Sequence, residues 1–278
     1  MRISIVTPSF RNSEWLKLCI ASVADQGVAV EHIIQDAGSD DGTLNWLLRD
    51  PRVKAFVERD NGMYDAVNRG LQRANGEILA YLNCDEQYLP GALAAVERFF
   101  EHNPHIDVLF ADFVVVDVEG NYLFHRKVQT PMMLHTWVSH LPTFTCATFF
   151  RRQLIFEHGL LFDSELRDVG DGKWVLDLLK RKTTMAVLRR FTSSFTMTGA
   201  NMSSRPNARR EARELYNTAP FWARKLKGLL ILQHRVRRLA GGIYRQKPFS
   251  YAVYSRKSQA NRVIHNVDHP TFRWKNNG

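Results

Sequence analysis

Two hydrophobic rhythms alternate through the first hundred residues. Short apolar runs rich in Ile and Val predict strands in RISIVTP (2–8), VEHIIQD (30–36), VKAFVE (53–58) and EILAYLN (77–83). Between them, apolar positions recur at helical spacing. Trp15, Leu16, Cys19, Ile20 and Val23 follow a capping Asn12 or Ser13. Asp41-Gly42-Thr43 opens a short helix through Leu47, and a longer helix over Met63 to Ala74 is closed by the turn dipeptide Asn75-Gly76. Pro90 suits the first turn of a helix running to Phe100. This βαβαβαβ order predicts a parallel sheet covered on both faces.

The rhythm changes after residue 105. DVLFADFVVVD and YLFHRKV, joined through Glu119-Gly120-Asn121, predict a β-hairpin. TFTCATFF reads as a strand, RRQLIFEHG as a helix ending at Gly159, Gly172 to Lys180 as a helix and MAVLRRFTSSFTMTG as a strand. From Arg205 onward the pattern is helical and basic.

Hydrophobic residues make up 45% of the 278 and charged residues 24%, which supports a sizeable core in a soluble domain. No run reaches the ~18 apolar residues of a membrane span, and the apolar part of MRISIVTPSF suits a first strand better than a signal peptide. Cys19, Cys84 and Cys146 are scattered and odd in number, without zinc-type spacing, so free thiols in a reducing cytoplasm are expected. The net charge of +10 is uneven: residues 201–278 hold 17 Lys+Arg against 3 Asp+Glu, and the first 200 hold 21 against 25. A slightly acidic body therefore carries a strongly basic tail.

Ligands of open parallel sheets sit at the carboxyl ends of the strands. Those ends are Thr7-Pro8-Ser9, the run Asp36 to Thr43, Glu58-Arg59-Asp60-Asn61-Gly62 and Asn83-Cys84-Asp85-Glu86. Acidic groups converge there, and the glycine-rich nucleotide fingerprints are absent. An acidic edge binds a nucleotide diphosphate when a hard divalent cation, Mg²⁺ or Mn²⁺, stands between carboxylates and phosphates. Asp85 and Glu86 fit that role; a solvated turn facing a helix N-terminus is the other reading.

In serial order, TPSF, IIQDAGSDDGT, ERDNGMYDAVNRG and GEILAYLNCDE resemble the family 2 glycosyltransferases, strongly over residues 2–105 and more weakly over 140–200. The resemblance implies an inverting, nucleotide-sugar-dependent enzyme with the A-type glycosyltransferase fold, a Rossmann-like α/β domain with a mostly parallel central sheet. DNGMYDAVNRG followed by NGEILAYLN is similar to the branch that builds bacterial surface polysaccharides. The expected layout is a catalytic domain over 1–200, with a nucleotide-sugar half (1–105) and an acceptor half (106–200), followed by a basic helical extension over 201–278.

The resemblance also implies roles. Thr7 and Pro8 border the base and ribose, Asp36 hydrogen-bonds the base, and Asp65 contacts nucleotide or sugar, with Asn68 holding the loop. Asp85 falls on the metal motif, which here reads Asn-Cys-Asp-Glu: Asn83 turns to the ribose, and Glu86 stands where an Asp is usual. The general base falls in GLLFDSELRDVGDGKWVLDLL, where Asp171 aligns best, with Asp168 as competitor and Asp163 or Glu165 behind it. Lys173 replaces a further acid of that motif, and no QxxRW is present. His140, Thr143 and Thr145 are candidates for the acceptor side. Two rivals stay open: a polyprenyl-phosphate sugar synthase, and a non-catalytic nucleotide-sugar binder or membrane scaffold.

The tail adds a partner. On a helical wheel over 221–239, Phe221, Trp222, Leu226, Leu229, Leu230, Leu232, Val236 and Leu239 share one half and Arg224, Lys227, Arg235 and Arg238 the other. Lys225, Ile231 and Arg237 break the division. Such a helix either lies on an anionic membrane surface or packs on the catalytic domain. A membrane site suits a lipid-linked acceptor and a cytoplasmic protein peripheral to the inner face of the plasma membrane; a saccharide acceptor is the alternative. Nucleic acid is not expected, because the acidic edge repels a polyphosphate strand.

Overall fold

The computed structural model describes residues 1–199 and 206–273, so Arg205 and the ends of the proposed extension, 201–204 and 274–278, lie outside the described residues. The chain runs β1 (Ile3–Ser9), α1 (Ser13–Ala24), β2 (Val30–Asp36), α2 (Thr43–Leu47), β3 (Lys54–Val57), α3 (Met63–Arg73) and β4 (Ile78–Tyr81). It continues with β5 (Gln87–Tyr88), α4 (Ala92–His102), β6 (Val108–Val116), β7 (Tyr122–Arg126), α5 (Met133–Val138), β8 (Thr148–Arg151) and α6 (Gln153–Phe156). Then come α7 (Gly170–Lys180), β9 (Met185–Thr196), α8 (Pro206–Asn217), α9 (Phe221–Lys225), α10 (Lys227–Ala240), β10 (Phe249–Ser255) and β11 (Ser258–Val267).

One large sheet holds β3-β2-β1-β4-β8-β6-β9-β5, with β7 beside β6. The first four strands are parallel, as the alternating rhythm predicts; β8 enters antiparallel to both β4 and β6, and β9 runs parallel to β6. The N-terminal half is therefore wholly parallel and the second half mixed. β1 pairs with β2 from Ile3↔Val30 to Ser9↔Asp36 and with β4 from Ile3↔Ile78 to Val6↔Tyr81. This register lines up the carboxyl ends of three strands at one edge. β1 is buried along its whole length, as expected of a central strand with both faces covered. One main core runs under the sheet from Ile3 and Ile5 through Phe110 and Phe149 to Trp174.

Several elements differ from the expectations. TFTCATFF yields a strand only from Thr148, RRQLIFEHG a single helical turn, and Pro90 stands before its helix rather than in the first turn. The 221–239 amphipath is two helices, broken at Leu226. The extension is not wholly helical: β10 and β11 form an antiparallel hairpin. Alternation explains it, since Tyr251 and Val253 face inward with Ala252 between them half-buried. The hairpin docks on the N-terminal half. Gln87 and the Tyr254 backbone exchange two hydrogen bonds (2.9 and 2.8 Å), and Arg262 grips Asp25 through two (both 2.6 Å).

Candidate active site

A cleft of about 1380 Å³ opens along the strand ends. Its wall includes Pro8 from β1, Ala37 and Gly38 after β2, Arg59 and Asp60 after β3, Asn83 to Asp85 after β4, and Asp168 and Asp171 around the start of α7. His140, Thr143 and Thr145 line it from the opposite segment.

Pro8, Asn83, Asp85 and Asp171 thus meet in one cleft, as their sequence roles require. Four other expected residues are turned away from it. Thr7 neighbours Pro8 on a strand and points to the opposite face, where its Oγ1 lies 2.9 Å from buried His32 Nε2. Asp36 is 0% exposed: its Oδ1 accepts from the Gly38 and Ser39 amides, its Oδ2 from Ser39 Oγ. It organises the loop above it, so contact with a base requires that loop to open. Asp65 accepts from the Asn61 amide (2.9 Å) and pairs with Arg69 (2.9 Å), fixing the start of α3. Glu86 is 1% exposed and lies beneath the cleft floor.

The acid pair is electrostatically uncompensated. Burial pushes Glu86 up to about 8, with Asp85 adding to the rise, and burial raises Asp85 as well. Glu86 Oε2 accepts from the Asn83 amide (2.9 Å), while its buried Oε1 has no partner. Two adjacent carboxyls short of positive charge, with one orphaned oxygen, suit a hard divalent cation. Asp85 opens to the cleft and Glu86 backs it.

Asp171 sits in the first turn of α7. Its Oδ1 accepts from the Gly172 amide (2.8 Å) and stands 3.5 Å from Tyr64 Oη, which accepts from the Asp171 amide (3.1 Å). Burial raises its pKa against those bonds, making it a stronger base than a free carboxylate. A column of rings fixes the position: Tyr64 stacks on Phe162 (5.7 Å), which stacks on Trp174 (4.8 Å). Asn68 clamps Phe162 by exchanging two hydrogen bonds with its backbone (2.8 and 2.9 Å), so the loop-holding role expected of it is what the structure shows. Gly170 is required by the same packing: a Cβ there would meet the Tyr64 ring at 2.6 Å.

Asp60, one of the acidic strand ends, lines the cleft, raised by burial. Sequence reasoning missed three residues, Arg167, Arg209 and Glu211. Arg167 and Arg209 join Arg59 on the wall, and Arg167 lies over Gly62, whose φ of 121° residues with a side chain rarely adopt. Glu211 of α8, 2% exposed, accepts from the Arg167, Asp168 and Val169 amides (2.9, 2.9 and 3.2 Å) and from Asn207 (2.7 Å). The one available signal was its rarity, an acid among the three of the basic tail. Asp168 is held by Asn207 (2.6 Å), and Asp163 and Glu165 do not line the cleft.

A parallel half-sheet with a large cleft at its strand ends and carboxylates along the wall is a Rossmann-like ligand-binding arrangement. The model of glycosyl transferase family 2 matches residues 4–160, and the chain belongs to that family. It is 21% identical over 201 residues to the uncharacterized glycosyltransferase EpsJ of Bacillus subtilis, covering 67% of this chain and 58% of that one. It is 33% identical over 120 residues to a PGL/p-HBAD biosynthesis glycosyltransferase of Mycobacterium bovis, covering 40% and 46%. The chain thus spans about half the length of the curated relatives it matches. Among solved structures, Staphylococcus aureus TarS 1–349 in complex with UDP-GlcNAc shares the fold: TM-score 0.62, 18% identity, 86% of this chain and 73% of that one. The mannosyltransferase PcManGT of Pyrobaculum calidifontis, in complex with GDP-Man and Mn²⁺, does so at TM-score 0.56 and 13% identity, over 86% and 79%.

Proposed function

We propose that the protein moves one sugar from a nucleotide-diphosphate sugar to a hydroxyl of a lipid-linked or saccharide acceptor, with inversion at the anomeric carbon. The observation that carries this reading is Asp171: a half-buried carboxylate, its pKa raised by desolvation, opening into the same cleft as Asp85. Its oxygen takes the acceptor proton as the acceptor oxygen bonds the anomeric carbon from one face. The bond to the diphosphate breaks on the other face. Tyr64 and Gly172 hold the carboxylate still, so the proton acceptor is positioned before substrate arrives.

Asp85, backed by Glu86, would hold Mg²⁺ or Mn²⁺, which supplies neutralising charge for the departing diphosphate. The complexes of TarS with UDP-GlcNAc and of PcManGT with GDP-Man and Mn²⁺ support a nucleotide-sugar donor and a divalent ion. Arg59, Arg167 and Arg209 add positive charge to the same wall, and Asn83 and Pro8 fit the ribose side.

A lipid-linked acceptor is favoured by the tail. Among the described residues no helix is long and apolar enough to cross a membrane. The apolar face of α9 and α10 nevertheless points outward: Trp222 is 53% exposed and Leu239 69%, with Phe221, Leu229, Leu232 and Val236 also exposed. The docked side is instead Ala223, Leu230 and His234. An outward apolar stripe flanked by Arg224, Lys225, Lys227 and Arg235 matches an anionic membrane surface.

The test is Asp171→Asn. Proton transfer by a positioned base contributes about 10²–10⁴-fold, so turnover falls by that factor while donor binding persists. Undiminished turnover would mean a phosphate acceptor needing no base, as in a polyprenyl-phosphate sugar synthase. Asp85→Ala removes cation-dependent donor binding; unchanged binding would refute the metal assignment. Failure of the wild-type chain to turn over any nucleotide sugar would leave a non-catalytic binder.

A further inference from the structure

Three imidazoles meet at the edge of the cleft, away from the acid pair, where the segment after α5 crosses α10. His135 comes from α5, His140 from the following segment and His234 from α10. The His135 and His234 rings stack with centroids 3.9 Å apart, and His140 stands edge-on to both at 4.7 and 5.7 Å. One ring nitrogen from each lies within 4.8 Å of the others. His135 and His234 are 1% and 5% exposed, yet neither nitrogen of His135 nor Nε2 of His234 has a hydrogen-bond partner. Buried polar atoms are rarely left unsatisfied in this way, and a nitrogen of each ring within reach of the other two suits a common partner.

We propose that His135, His140 and His234 form a zinc site, with a fourth position open to water or an anion. Three imidazoles are a known donor set for Zn²⁺ with an open position, whereas hard Mg²⁺ prefers oxygen. Tetrahedral coordination at about 2.0–2.1 Å places ligand nitrogens about 3.3 Å apart; because an imidazole lone pair lies in the ring plane, binding turns one of the stacked His135 and His234 rings about its side-chain bonds until both planes meet at the ion. Burial first, with neighbouring arginines adding, lowers all three histidines and disfavours their charged forms. Ser139 Oγ lies 3.0 Å from His140 Nδ1 and orients that ring.

The charges facing the cluster are Arg126, Arg237 and Arg238. They oppose a bare dication and favour an anion at the fourth position. Arg237 is occupied by Thr130 (2.8 and 2.6 Å), Arg126 by the Phe272 carbonyl (2.5 Å), and Arg238 lies over the Tyr244 ring (5.0 Å). The ion ties α10, whose outer face is apolar, to the segment carrying His140, Thr143 and Thr145 along the cleft. Membrane helix and acceptor wall are thereby held as one unit.

The test uses the full chain, freed of metal by chelator dialysis and titrated with Co²⁺ as an optical probe. One equivalent is expected to give the visible bands of a four-coordinate nitrogen site. Zn²⁺ displaces them and excess Mg²⁺ does not. His140→Ala removes an exposed ligand and keeps the fold by circular dichroism; it weakens Zn²⁺ binding by at least about tenfold. His234→Gln gives the same loss, and Asp85→Asn leaves the bands intact, separating this site from the Asp85 and Glu86 acid pair. Absence of stoichiometric Zn²⁺ binding in the wild type, or wild-type affinity in both histidine variants, overturns the proposal.

Discussion

Removing Glu211 is the sharpest perturbation of the architecture around Asp171. Its carboxylate receives three backbone amides of residues 167–169 and the Asn207 side chain, all between 2.7 and 3.2 Å. Hydrogen bonds to a charged acceptor contribute about 1.5–3 kcal/mol each, less than additively when they share one group. Some of the freed amides reach water, because Asp168 and Val169 are half-buried. The expected cost of Glu211→Ala is therefore about 3–5 kcal/mol. At about 2–4 °C per kcal/mol for a chain of this size, the melting temperature falls by about 10 °C. Glu211→Gln loses less, since one oxygen remains while the new amide N–H₂ faces backbone donors. Glu214, on the same helix, makes only an exposed pair with Arg210 at 3.6 Å, so Glu214→Ala changes stability by less than about 0.5 kcal/mol. Burial pushes Glu211 up, but the Arg167, Asp168, Asn207 and Val169 bonds outweigh it and hold the carboxyl below its usual value. A depressed folded pKa gives stability that is present above the unfolded pKa and lost as pH falls through the folded one. Thermal unfolding, with hydrogen exchange of the peptide spanning 163–172, reads the effect. Unchanged melting and unchanged exchange in Glu211→Ala would refute the clasp.

Three further outcomes are expected. Gly170→Ala drives a methyl into the Tyr64 ring, costing about 1–3 kcal/mol and displacing the groups that hold Asp171; sugar transfer drops at least about tenfold, and wild-type turnover would contradict the packing argument. Glu31, bonded to Lys54, Ser4 and Asn75, is held at about 2 despite burial, so its contribution is complete above about 4.5 and fades as pH falls towards 2; Glu31→Gln flattens urea midpoints across that window, and parallel curves would exclude the assignment. Leu229→Glu with Leu232→Glu abolishes co-sedimentation with phosphatidylglycerol vesicles, and salt weakens the wild type; binding indifferent to both would assign the stripe to another partner.

The alternating rhythm of residues 1–100 determined four strands, their parallel run and the edge where polar loops gather, because period and burial are local properties of the chain. The expectation that Asp85 and Asp171 serve one site came instead from the resemblance of the motifs to family 2 glycosyltransferases. Local pattern could not say which way each acid turns. Thr7 and Pro8 are adjacent and face opposite sides of β1. Asp36, Asp65 and Glu86 stand in the right loops, yet each carboxylate has gone to a backbone amide. Nor could it pair Glu211 with residues 167–169, 42 to 44 positions away, or bring His234 beside His135. The basic tail shows the same division. Its amphipathic period was plain in the sequence, but a period fixes only that one face is apolar. Tertiary packing decided that Ala223, Leu230 and His234 dock and that the broad apolar face looks outward, because helix register against a neighbour depends on contacts far along the chain.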